Sequence, residues 1–107
     1  MTTFDQREKG EERKFANDEE AHFKARARRD RLVGAWAAEK LGLKGTEAEA
    51  YAKGLVVTDL EQHGDGDVIA KLTKDFAAKK VDVSGGEIER VLHEKMIEAE
   101  KQLKAGA

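Results

Sequence analysis

No branched aliphatic residue occurs before Leu32. Upstream of it stand mainly charged residues, Ala and small polar residues, with Phe4, Phe15 and Phe23 as isolated aromatics. From Leu32 onward the aliphatics recur at helical spacing, so the chain divides into a body that can bury a core and an N-terminal arm that cannot pack on itself. A segment of that kind is usually held for a partner.

Residues 1–30 carry eight acids (Asp5, Glu8, Glu11, Glu12, Asp18, Glu19, Glu20, Asp30) and eight bases (Arg7, Lys9, Arg13, Lys14, Lys24, Arg26, Arg28, Arg29), a local net charge of zero. Balanced charge with so little to bury predicts a segment that is disordered or only partly helical when free, and Gly10 weakens a helix further. On a helix, Phe4 and Phe15 fall within about 20° of one another and Phe23 about 80° further round. A partner groove could take that aromatic edge. The alternative is a solvated tail whose phenylalanines fold back on the body.

The body favours helix throughout. Proline and cysteine are absent and charged residues make up 39% of the 107 residues, which excludes disulfides and thiolate ligands and disfavours sheet. Asn17 with Glu20 predicts the start of a first helix over 18–41, carrying Leu32, Val33, Trp36 and Ala37, with Phe23 packing on it and Gly42 as its left-handed stop. Thr46 and Glu49 form a capping-box pattern ahead of a second helix over 47–63, with Ala48, Tyr51, Ala52, Leu55 and Val56 on one face. Asp65 or Asp67 predicts the cap of a third helix over 66–80 bearing Val68, Ile69, Leu72 and Phe76. Ser84 and Glu87 make a second capping box, with Val83 and Ile88 as a hydrophobic staple, opening a fourth helix over 85–103 through Val91, Leu92, Met96, Ala99 and Leu103. Short connections make these antiparallel neighbours. The expected fold is an all-α four-helix bundle over 18–104, preceded by an arm over 1–17 and followed by a frayed tail at 105–107.

Catalytic signatures are missing. No phosphate loop, zincin motif or nucleophile elbow is present, and Asp65-Gly66-Asp67 lacks the remaining ligands of a calcium loop. The expectation is a protein that is not an enzyme and holds no metal. The loop glycines Gly42, Gly45, Gly85 and Gly86 serve ordinary turns or, as the sharper alternative, expose amides to an anion. Each histidine has an acid four residues earlier (Asp18 with His22, Asp59 with His63, Glu89 with His93), a spacing that reads as solvated surface pairs, with pH tuning as the alternative. The basic run Lys24-Ala25-Arg26-Ala27-Arg28-Arg29-Asp30-Arg31 reads as a solvated face pairing with Glu19 and Glu20. Without interleaved aromatics, and in a chain of net charge -2, it does not point to nucleic acid. The start Met1-Thr2-Thr3-Phe4-Asp5 lacks a basic region followed by an apolar stretch, so the expectation is a cytoplasmic protein with no membrane insertion.

Several stretches carry a more definite signal: Met1-Thr2-Thr3-Phe4-Asp5-Gln6-Arg7-Glu8, Lys14-Phe15-Ala16-Asn17-Asp18-Glu19-Glu20, Phe23-Lys24, Ala27-Arg28-Arg29 and Gly34-Ala35-Trp36-Ala37-Ala38, with Ala50-Tyr51-Ala52-Lys53 and Gly64-Asp65-Gly66-Asp67-Val68 further on. Together they resemble the zeta subunit, the ATPase inhibitor of alphaproteobacterial F-type ATP synthases. The resemblance implies an inhibitor whose N-terminal segment becomes helical on entering an alpha/beta catalytic interface of the F1 sector, beside the central stalk, and blocks rotation in the hydrolytic direction. Carried over, Thr2, Thr3, Phe4, Asp5, Arg7, Glu8, Lys14 and Phe15 form the inhibitory element and the bundle is the anchor. The resemblance further implies a monomer when free, peripheral to the inner membrane through the synthase. It implies no required cofactor, and weak adenine nucleotide binding at residues it does not identify. The runner-up reading is a small nucleotide-binding regulatory bundle, and the third a generic helical interaction module.

Overall fold

With no proline and few glycines, nothing between Thr2 and Lys40 forces the backbone out of helical geometry, and one helix spans the interval. The computed structural model describes the backbone of residues 2–62 and 64–106 and the side chains of residues 20–61 and 64–106. The described residues form four helices and no strand: α1 (Thr2–Lys40), α2 (Thr46–Gln62), α3 (Asp65–Ala78) and α4 (Gly85–Lys104). A helix of this length extends about 58 Å at 1.5 Å per residue, which accounts for the longest dimension of the molecule, 63 Å.

Cross-helix contacts give the topology. Arg26 meets Asp59 and Gly34 meets Ala52, so position along α1 rises as position along α2 falls, and the two run antiparallel. Lys40 with Glu87 and Ala25 with Leu103 set the same relation between α1 and α4. Arg29 with Asp65 and Trp36 with Phe76 show α1 and α3 running parallel across the bundle. Each helix neighbours the next in sequence and α4 closes on α1. The arrangement follows from connections too short to cross the bundle.

The core is the aliphatic stripe legible in the sequence. Val33, Ala37, Leu55, Val68, Leu72, Phe76, Ile88, Val91 and Leu92 are buried, and Trp36, Leu41, Tyr51, Ile69, Val81 and Val83 pack around them. Trp36 meets Phe76 edge-on, with ring centres 5.6 Å apart. Tyr51 donates to Asp75 at 2.7 Å, which Lys71 also reaches at 3.1 Å, tying α2 to α3. Gly34 lets α1 and α2 approach closely: a Cβ there would lie 2.5 Å from the Ala52 Cα.

Several caps differ from expectation. The backbone is helical from Thr2, so α1 runs through Asn17 and does not begin at residue 18. An N-cap acts only where the chain upstream leaves helical geometry. Here Gly10 costs about 1 kcal/mol and spacings such as Asp5 with Lys9 favour continuation. At α2 the Glu49 amide donates to the Gly45 carbonyl at 3.1 Å and not to Thr46, which is already helical. At α3 the cap is Gly64 without a side-chain bond, because Asp65 is turned toward two arginines. The Ser84 cap is as expected, its hydroxyl accepting from the Glu87 amide at 3.1 Å, but the Glu87 carboxylate faces Lys40 instead of returning to the cap. Gly42, at φ 79°, closes α1 while the Leu43 amide reaches back to the Ala38 carbonyl. The first helix of the bundle therefore ends as predicted, and only its start moves. Phe23, expected to pack, is 56% exposed beside Leu60.

Candidate functional site

α1 carries Thr2, Thr3, Phe4, Asp5, Arg7, Glu8, Lys14 and Phe15 on one continuous helical backbone, upstream of the bundle. Their side chains lie outside the described residues, as do those of Asp18 and His63. What the structure describes in full is the place where this helix joins the body. Asp59, near the end of α2, is opposite Arg26, and Leu103, near the end of α4, lines clefts with Glu20 and Ala21. Among the described side chains, the ends of α2 and α4 thus lie against the stretch 20–26 of α1.

That root is held by five charged side chains from three helices. Asp59 accepts from Arg26 Nε at 2.7 Å and Nη2 at 2.8 Å. Asp65 accepts from Arg26 Nη2 and Arg29 Nη1, both at 2.9 Å. Asp30 Oδ1 accepts from Arg29 Nε at 3.1 Å and Nη2 at 2.8 Å, and Arg29 Nη2 lies 3.8 Å from Asp59. Arg29, Asp30 and Asp59 are all at least 97% buried. Removing such groups from water is costly unless each is paired. Here the two guanidinium forks supply the pairing, and they lock α1 to α2 and α3 at once.

The pairing is uneven. Asp30 Oδ2 is buried and receives no hydrogen bond. Burial pushes the Asp30 carboxyl up to about 7, and the neighbouring Asp59 adds to the rise, against the opposing pull of Arg29. Burial also acts upward on Asp59, but the bonds from Arg26, the neighbouring Asp30 and the charges of both arginines outweigh it and hold Asp59 below the usual carboxylate range. The Arg26 guanidinium is held above its ordinary value by its bond to Asp59.

This cluster was not legible as a unit. The basic run was expected to be a solvated face. Lys24 does pair with Glu20, at 3.2 Å, but Arg26 and Arg29 turn inward to aspartates of other helices. A signal existed: Arg29, Val33 and Ala37, four residues apart, share the face that also buries Ala25. A polar residue inside an apolar stripe is a candidate for a buried pair. Of the acid–histidine spacings, Asp59 is taken by Arg26, while Glu89 and His93 border an open cleft of about 420 Å³ with His22, Arg26, Arg29 and Asp65 over Ile69, Leu92 and Met96. Among the described residues no group of three potential ligands could hold a metal, and no helix is long and apolar enough to cross a membrane. The cluster can lock, orient and hold a proton.

The sequence profile of the ATPase inhibitor subunit zeta family matches residues 1–102. A protein structure solved in solution by NMR is 39% identical, with a TM-score of 0.69 over 79% of this chain and 96% of that one. No curated protein sequence matches.

Proposed function

This chain belongs to the ATPase inhibitor subunit zeta family, and from that premise we propose that it inhibits the F-type ATPase by inserting the upstream half of α1, with the bundle as anchor. Family membership makes it a regulatory inhibitor subunit whose partner is the ATPase. The observation that supports the finer mechanism is the continuity of α1 past the ends of α2 and α4. The arm over residues 1–17 holds four acids and four bases, a net charge of zero, and no branched aliphatic residue. Such a helix is marginal alone. In this reading the arm samples disordered and helical states when free and is fixed as a helix at an alpha/beta catalytic interface, Phe4 and Phe15 buried as anchors and the charges around them setting register. The bundle offsets the ordering cost by holding the arm at high effective concentration. Adding the purified chain to the F1 sector should suppress ATP hydrolysis in a saturable way; undiminished hydrolysis at saturating chain would reject the reading.

A second reading rests on the cleft beside His22 and His93. Its apolar floor of Ile69, Leu92 and Met96 suits a purine, and the imidazoles suit a phosphate. Both arginines at its rim are already neutralised by aspartates, so adenine nucleotide binding there would be weak. Titrating ADP against the full chain should shift Met96 and His93 resonances first; shifts confined to other regions would place the ligand elsewhere.

A further inference from the structure

The root of α1 contains a count that does not balance. Arg26 and Arg29 contribute two positive charges, while Asp30, Asp59 and Asp65 contribute three negative ones. Fully ionised, the cluster carries one uncompensated negative charge, and its two carboxylates on α1 and α2 are almost wholly out of water. An uncompensated buried charge is expensive, and a protein usually avoids it by keeping a proton. The place for that proton is visible. Asp30 uses only Oδ1 toward Arg29, and its Oδ2 lacks any donor. Asp59 shares Arg29 with Asp30: the Arg29 Nη2 lies 2.8 Å from Asp30 and 3.8 Å from Asp59. Protonated, the free Asp30 oxygen can donate to that neighbour, and the cluster becomes neutral.

We propose that Asp30 is held as a carboxylic acid whose hydroxyl donates to Asp59, and that this shared proton is a pH-sensitive latch between α1 and α2 at the root of the N-terminal arm. The groups facing the pair are Arg26 and Arg29 on its own helix, Asp59 from α2 and Asp65 from α3. From α4, Glu89 and His93 border the adjoining cleft with His22 of α1. Losing the proton restores the unbalanced charge and sets two carboxylates against each other, loosening the seat of α1. The Asp30 carboxyl is raised in the folded chain to about 7 against an ordinary value near 3.9 when unfolded. Its stabilising contribution is therefore complete below about pH 4 and is lost as pH rises through about 7. The consequence for inhibition, a looser anchor for the arm on the alkaline side, rests on the inhibitor reading; the latch itself does not.

The test uses the isolated full chain. Carbon-13 NMR of aspartate side chains should show the Asp30 Cγ moving from acid to carboxylate with a midpoint near neutrality, and the Asp59 Cγ responding in the same step. Asp30→Asn keeps an acceptor for Arg29 and a donor for Asp59 at every pH, so it should remove that step. Between pH 5 and 6.5 the unfolding equilibrium constant of the native chain should rise close to tenfold per pH unit relative to Asp30→Asn, the signature of one proton. The comparison cancels the histidines, which both chains share. Asp59→Asn balances the charge with Asp30 ionised and should lower the Asp30 midpoint, burial alone keeping it above the ordinary range; an unchanged midpoint would show that Asp59 does not share the proton. An Asp30 Cγ that stays at the carboxylate position down to pH 5 overturns the latch, as do parallel stability curves for the native chain and Asp30→Asn. Either result leaves the hydrolysis assay untouched, so the latch and the inhibitor reading fail separately.

Discussion

The two halves of α1 are both rich in charge, yet they meet different surroundings. Along residues 20–40 three helices reach the same face, and Ala25, Arg29, Asp30, Val33, Ala37 and Ala38 are buried there. Upstream of residue 20 the sequence offers no branched aliphatic residue to bury. Arg29 shows what decides the fate of a charge: carboxylates from α1 and α3 reach it at hydrogen-bond distance, so it becomes core. Lys24, five residues upstream, pairs with Glu20 of its own helix and stays in water. The downstream half is therefore fixed by the chain itself, and the proposed mechanism assigns the upstream half to another protein.

Substitutions should separate the halves. The largest stability loss is expected for Asp59→Ala, which leaves Arg26 and the buried Arg29 short of a partner. Breaking a buried pair from one side costs about 3–5 kcal/mol, readable as a lowered urea midpoint; a loss no larger than that of an exposed pair would show that the root of α1 is not held by the cluster. Gly34→Ala should follow, because a Cβ 2.5 Å from the Ala52 Cα forces α1 and α2 apart. Overpacking of this kind costs about 1–3 kcal/mol, and thermal unfolding that matches the native chain would place the close approach elsewhere. Ser84→Ala, which removes the hydroxyl that accepts the Glu87 amide, should cost about 1 kcal/mol, again by urea midpoint. Phe4→Ala should leave stability within about 0.5 kcal/mol while weakening inhibition of hydrolysis more than Gln6→Ala does. Equal loss from the two would assign arm binding to charge alone.

Much of this architecture was readable before any coordinates. The aliphatic spacing gave the four helices and the core residues Val33, Leu55, Leu72, Phe76 and Ile88, because burial of those side chains is non-directional and depends on little beyond period. The stop at Gly42 and the cap at Ser84 were legible because each is a local backbone requirement. Long-range competition was not. Asp65 is an ordinary capping residue by sequence, and only the arrival of Arg26 and Arg29 from α1 diverts it. Asn17 has the composition of a cap, but a cap depends on the upstream chain leaving the helix. The ionic cluster escaped notice for a related reason: Arg26, Arg29 and Asp30 lie 29 or more residues from Asp59 and 35 or more from Asp65, and no local rule links such positions.

The central claim is that the upstream half of α1 inhibits and the bundle anchors. Deleting residues 1–14 leaves every described side-chain contact of the bundle in place, since those begin at Glu20. The truncated chain, added to the F1 sector beside the full chain at matched concentration, should keep its cooperative unfolding transition and lose inhibition of ATP hydrolysis. Full inhibition by the folded, truncated chain would contradict the account.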